Sequence, residues 1–249
     1  MRRSTNELSH VSISESDVGV NSPLKLCVKD LSVSLPIGRH ARVHAVRSVS
    51  LTVREGERIG IVGESGSGKS VTGRAIAGLL PDIRGVRVGG SIAIDGAEML
   101  GRPASAWDEI RATKVGMVFQ DPLTYLNPVM RIGAQVREAL PSSVRGRQTR
   151  TEVRRVLALA GLNDVEWVET QFPHELSGGM RQRVLIAIAL AKNPSLIIAD
   201  EPTTALDATV QQRVLATLDH SVETLGTSLI LITHDFAIAA RMTDTLYVM

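Results

Sequence analysis

Eight residues carry the most specific chemistry in this chain: Gly63-Glu64-Ser65-Gly66-Ser67-Gly68-Lys69-Ser70. They fill every fixed position of G-x-x-x-x-G-K-[ST], the pattern of a phosphate-binding loop. Glycines at 63, 66 and 68 let the backbone bend sharply and turn its N–H groups toward phosphate oxygens. Lys69 would reach the β- and γ-phosphates of a nucleotide, and Ser70 would hold a Mg2+ ion. The same residues could form a glycine-rich turn that binds nothing, so the flanking elements matter. Before the loop, Arg58-Ile59-Gly60-Ile61-Val62 reads as a buried parallel strand. After it, residues 70–80 read as a helix stopped by Pro81. That helix would aim its positive end at the bound anion.

Two further stretches have chemistry-bearing residues at element ends. Leu196-Ile197-Ile198-Ala199-Asp200-Glu201 is an apolar run followed by two acids. A buried strand here would place Asp200 at its carboxyl end, where open α/β sheets bind ligands. Asp200 would then hold Mg2+ through water. Glu201 would leave in another direction and suit a base that polarises the attacking water. Acids at a strand end can also simply open a loop. Leu176-Ser177-Gly178-Gly179-Met180 offers Ser177 as the N-cap of a helix from about 179 to 192. Gly178 and Gly179 would expose backbone N–H groups at its mouth to an anion, although an ordinary capped helix fits this stretch equally well. Val115 to Phe119 reads as one more buried strand, and it delivers Gln120 at its carboxyl end.

Composition sets the frame for these stretches. The 249 residues suit one large α/β domain, or one domain with an insert. Apolar residues make up 43% but aromatics only 3%, so the core must be aliphatic. The 28 basic and 26 acidic residues balance to a net charge of +2, which gives no charge argument for nucleic acid. The single cysteine, Cys27, excludes an internal disulfide and reads as packing. No apolar run approaches the roughly 20 residues of a membrane span, and no signal core follows the N-terminus.

In chain order, residues 1–22 are polar, lack any period, and read as a disordered leader. Residues 24–35 and 43–53 alternate as two antiparallel-looking strands, with Pro36-Ile37-Gly38-Arg39 as the turn between them. Residues 81–90 read as a loop, 91–96 as a strand ending in a turn, and 104–113 as a helix. From about 121 to 192 strand signals vanish, and helices are expected over 129–140 and 151–160. In the second of these, Val153, Val156, Leu157 and Ala160 share one face. Residues 207–225 read as a helix and 229–233 as a strand ending at His234. Residues 245–249 read as a last strand with an exposed edge. A lone histidine is usually structural, but His234 stands directly after a strand and before Asp235.

The phosphate loop, Gln120, Leu176-Ser177-Gly178-Gly179-Met180, the apolar-Asp-Glu run, Ala205-Leu206-Asp207 and His234 follow one another in the order and spacing of ABC ATPases. The chain resembles that family over about residues 24–249. Three strings are similar to the ATP-binding subunits of dipeptide and oligopeptide importers, and to nickel importers of the same subfamily: 120–130, 173–183 and 200–207. The resemblance implies an α/β phosphate-loop NTPase core with an antiparallel β subdomain and an inserted α-helical subdomain at about 121–192. Residues 23–249 would be the ATP-binding domain, ending short of the family's C-terminus.

It also implies a function: ATP hydrolysis powering uptake of peptides or a related solute through a partner permease. The alternative is a soluble ABC-type ATPase not coupled to transport. The cofactors implied are ATP and Mg2+. Two subunits, as a homo- or heterodimer, would close head to tail, with Ser177, Gly178 and Gly179 of one capping ATP on the loop of the other. Gln120 would sense the γ-phosphate and Mg2+, Asp207 would contact the opposing subunit, and His234 would bond the γ-phosphate. Lys69, Gln120, Glu201 and His234 are the expected catalytic group. Partners would be integral-membrane permease subunits and, indirectly, an external solute-binding protein, with no nucleic acid. The chain would lie on the cytoplasmic face of the inner membrane. One departure stands out: the family's adenine-stacking aromatic has no counterpart near His40 to Val43.

Overall fold

The computed structural model describes residues 9–12, 22–37, 41–80, 85–204 and 206–249. They form two units, residues 1–111 with 228–249, and residues 112–227.

The first unit opens with β1 (Ser9–Ser12), β2 (Leu24–Ile37) and β3 (Ala41–Arg54). β2 and β3 pair antiparallel, as their alternation predicts. One face buries Leu26, Val28, Leu31 and Val33 from β2 with Val46, Val49, Leu51 and Val53 from β3. Then come β4 (Arg58–Val62), α1 (Lys69–Ile76), β5 (Arg87–Ile94), β6 (Ala97–Glu98) and α2 (Ala104–Thr113). The antiparallel sheet has the order β3-β2-β5-β6. Trp107 of α2 is 3% exposed and packs over Gly78, just past the end of α1.

The second unit holds β7 (Val115–Val118), α3 (Pro122–Tyr125), α4 (Ile132–Ala139), α5 (Arg147–Leu159), α6 (Val165–Val168), α7 (Gly178–Leu190), β8 (Leu196–Asp200) and α8 (Ala208–Leu225). β7 and β8 pair in parallel. Every residue of β8 is buried, the burial expected of a continuous aliphatic run. Between these strands the chain is helical or irregular. Val153, Val156, Leu157 and Ala160 are all buried on one side of α5.

The chain then returns to the first unit as β9 (Ser228–Thr233), α9 (Phe236–Met242) and β10 (Thr245–Val248). β4 lies between β10 and β9 and pairs with both in parallel. The Tyr247 hydroxyl stands 3.3 Å from Thr52 N, whose N–H it accepts, so β10 is also tied to the antiparallel sheet.

Several boundaries differ from the sequence reading. Pro36 and Ile37 continue β2 instead of turning, because both still face partners on β3; Gly38, Arg39 and His40 lie outside the described residues. β5 begins at Arg87, since its glycines pair with β2 as well as its apolar residues do. α1 ends at Ile76, four residues early. The last strand is not an edge: β1 covers its far side antiparallel, Ser9 facing Val248 and Ser12 facing Thr245. Those four residues are therefore a strand within the stretch expected as a leader; residues 1–8 and 13–21 lie outside the described set. Pro81 and Ala205 lie outside it too.

Candidate functional site

In the first unit the buried strand β4 ends at Val62, and the loop turns at once into α1. Gly68 is the N-cap of α1, with φ +105°, and the helix has no side-chain cap and no acid in its first turn. A Cβ on Gly68 would stand 2.3 Å from the Ala45 carbonyl oxygen, so only glycine lets the loop lie this close to β3. Lys69 is 4% exposed. Its Nζ donates to the carbonyls of Gly63 at 2.9 Å and Glu64 at 2.7 Å, which sets a buried cation at the centre of the loop. Glu64, Ser65 and Gly66 are exposed, while Ser67 and Ser70 are half-buried.

His234 joins this loop through strand register. Val62 of β4 faces Thr233 of β9, so Gly63 and His234 leave the sheet side by side. The Asp235 carboxylate accepts from Ala237 N at 2.8 Å and Ile238 N at 3.1 Å, capping α9 and holding the exposed His234 at the strand end.

In the second unit the same device acts on the acids. Val118 of β7 faces Ala199 of β8, so Gln120 and the pair Asp200-Glu201 emerge together. Asp200 is fully buried. Glu201 has φ +44° and stands directly after Asp200, the last residue of β8. Gln120 Nε2 lies 3.4 Å from Glu201 Oε2, and the Thr204 hydroxyl donates to the same oxygen at 2.8 Å.

Ser177 caps α7, its Oγ accepting from Met180 N at 3.3 Å. Ser177 and Gly178 are exposed at the helix mouth; Gly179 is buried. Leu206 Cδ2 packs on Gly178 and Val210 Cγ1 on Gly179, which sets the start of α8 against the start of α7. Asp207 is the N-cap of α8, accepting from Val210 N at 2.9 Å. Burial, and then the charge of Arg213, lower the Arg183 guanidinium below its usual value; it donates to the carbonyls of Gly179 and Gly161.

Residues without an assigned role from sequence complete this half. Gln182 is 1% exposed and donates through Nε2 to the Phe119 carbonyl at 3.1 Å. Phe119 stacks on Tyr125, ring centroids 3.8 Å apart and planes within 9°, which folds the segment after Gln120 back on the strand end. The signal for Gln182 was a polar residue three positions after Gly179 on the buried face of α7; the stack carries no local signal. Asp121 caps α3, and its bonds from the Thr124 hydroxyl and Leu123 N hold its carboxyl below the usual range.

Among the described residues no group of three or more His, Cys, Asp or Glu side chains stands ready to hold a metal. The expected donors, Ser70 in the first unit and Gln120 and Asp200 in the second, offer hard oxygens. They fit Mg2+, which binds through one or two protein oxygens and leaves most positions to water and phosphate.

A glycine-rich loop between parallel strand and helix in the first unit, and acids at the end of a buried strand in the second, are features of phosphate-loop α/β proteins. The ABC transporter family model matches residues 46–204, and the chain belongs to that family. It is 44% identical over 224 residues to the oligopeptide transport ATP-binding protein OppD of Bacillus subtilis (strain 168), covering 89% of this chain and 62% of that protein. It is 42% identical over 226 residues to the probable D,D-dipeptide transport ATP-binding protein DdpD of Escherichia coli (strain K12), covering 90% of this chain and 69% of that one. The chain thus spans about three-fifths of the length of the OppD relatives of Bacillus and Lactococcus, 62% and 61%. The fold is similar to the dimeric post-hydrolysis state of the ATP-binding cassette MJ0796 bound to ADP and Pi. There the TM-score is 0.77 and the identity 29%, over 90% of this chain and 94% of that one.

Proposed function

We propose that the chain binds and hydrolyses ATP as a subunit of a peptide importer. The observation that carries the hydrolytic part is the Gln120–Glu201 approach of 3.4 Å at paired strand ends. A carboxylate held by Thr204 and next to an amide can polarise a water for attack on phosphorus. Lys69, the loop N–H groups and His234 would hold the phosphates and stabilise their charge in the transition state, so that catalysis is mostly positioning and electrostatics. Ser70 and, through water, Asp200 and Gln120 would hold Mg2+, which neutralises charge on the β- and γ-phosphates.

The reading extends to partners. The exposed Ser177-Gly178 mouth of α7 would cap ATP on the loop of a second copy or a related subunit, with Asp207 at that interface; the likeness to dimeric cassettes supports this. Residues 121–192 would be the family's helical subdomain, within an ATP-binding domain over 23–249. Leu123 at 62% and Val129 at 82% exposure lie on the segment after Gln120 and would meet a permease. The identity with OppD and DdpD supports peptides as the solute, with an external solute-binding protein acting indirectly. Among the described residues no helix is long and apolar enough to cross a membrane; the subunit would sit on the inner face through its permease.

Glu201→Gln tests the base. It should keep ATP affinity and melting temperature, lose turnover by at least about a hundredfold, and accumulate an ATP-bound dimer on size-exclusion chromatography. Normal turnover by that variant would remove Glu201 from the role. A photo-crosslinker at Val129 should capture an integral-membrane protein in native membranes.

A further inference from the structure

Helices α4 and α5, with the segment just after α6, enclose an open pocket of about 490 Å3, a size typical of small-molecule sites. Three guanidinium groups line it, Arg131, Arg137 and Arg150, against a single carboxylate, Glu169. That carboxylate is already committed. Its Oε1 accepts from Arg150 at 2.6 Å and from Arg154 at 2.9 Å, and its Oε2 accepts from Arg154 Nε at 3.2 Å. Arg154, and then Arg150, hold the Glu169 carboxyl below its usual range, so it stays an anion already shared between two cations.

The other two arginines are left to face the pocket. Arg131 is pinned: its Nη1 donates to the Thr170 carbonyl, and its guanidinium carbon lies 4.7 Å from the Phe172 ring centroid. Arg137 is exposed, and its guanidinium makes no ion pair or hydrogen bond among the described residues. α5 starts at the pocket wall without a side-chain cap and without an acid in its first turn. Positive charge is therefore concentrated here beyond what the fold neutralises. Guanidinium forks match the geometry of phosphate oxygens and hold them bidentately.

We propose that the α4–α5 pocket binds a small phosphate-bearing molecule, gripped by Arg137 with Arg131 and Arg150. Both helices pack on α7, so an occupant would brace the helix that opens with Ser177-Gly178-Gly179. None of these arginines belongs to the expected ATP site, and the pocket would be a second phosphate site.

Pyrophosphate is the probe, titrated into the full chain by calorimetry. The wild-type chain should take two per chain, one at the phosphate loop and one at the pocket. Lys69→Ala should leave one. Arg137→Ala should weaken the pocket site at least tenfold and leave the loop site unchanged, with little change in melting temperature because that side chain makes no ion pair or hydrogen bond among the described residues. In the Lys69→Ala background, Arg137→Ala should weaken the remaining site at least tenfold and Arg137→Lys less. A wild-type stoichiometry of one, abolished by Lys69→Ala, would overturn the proposal. So would a second site indifferent to Arg137→Ala.

Discussion

Gln182 Nε2 donates to the Phe119 carbonyl at 3.1 Å across 63 positions of sequence. This bond ties the helix opening with Ser177-Gly178-Gly179 to the residue before Gln120. Two groups expected to read nucleotide from different directions thus share one rigid link. Gln182→Leu keeps the volume but leaves the carbonyl without its donor, which costs about 1–3 kcal/mol. Urea denaturation should show that loss, and hydrogen exchange at residues 119–126 should quicken. An unchanged midpoint would mean that the bond is incidental.

The phosphate loop offers a paired test. Gly66 and Gly68 both have positive φ, +83° and +105°. A Cβ on Gly66 meets nothing within 4 Å, whereas one on Gly68 meets the Ala45 oxygen at 2.3 Å. Gly66→Ala should therefore cost only backbone strain, about 1–3 kcal/mol. Gly68→Ala must also displace β3 or the loop, and should abolish binding of a fluorescent ATP analogue. Equal affinities for the two variants would contradict the close approach.

At the mouth of α7, a Cβ on Gly179 would stand 2.3 Å from Val210 Cγ1. Gly179→Ala should destabilise by about 1–3 kcal/mol through overpacking. Val210→Ala in the same chain should restore most of the loss, because the clash is with a side chain and not with backbone. A double-mutant cycle measures the coupling, and purely additive effects would rule it out.

Acid should act on the cluster around Glu169. Arg154, and then Arg150, lower the Glu169 pKa from its ordinary value of 4.5. The unfolded chain therefore takes up that proton more readily than the folded chain. The cluster's stabilisation is fully present above about pH 4.5 and is lost as pH falls through the lowered folded value. Melting temperature against pH should fall more steeply in acid for the wild type than for Glu169→Gln, with the variant lower near pH 7. Parallel curves would show that the cluster contributes nothing.

The amino-acid order was enough for much of this. The loop motif, the apolar run before Asp200, the caps at Ser177 and Asp207, and the alternation in β2 and β3 are local signals. Each depends on residues a few positions apart, which is the range over which backbone geometry speaks. Tertiary structure decided the rest. Parallel register alone brings His234 beside Gly63 and Gln120 beside Glu201. It takes the folded chain to lay β1 along β10, to stack Tyr125 on Phe119, and to surround Glu169 with two arginines while leaving Arg137 facing a pocket. These contacts join side chains whose partners lie on other elements. No periodicity encodes such pairings, because they depend on where whole strands and helices come to rest.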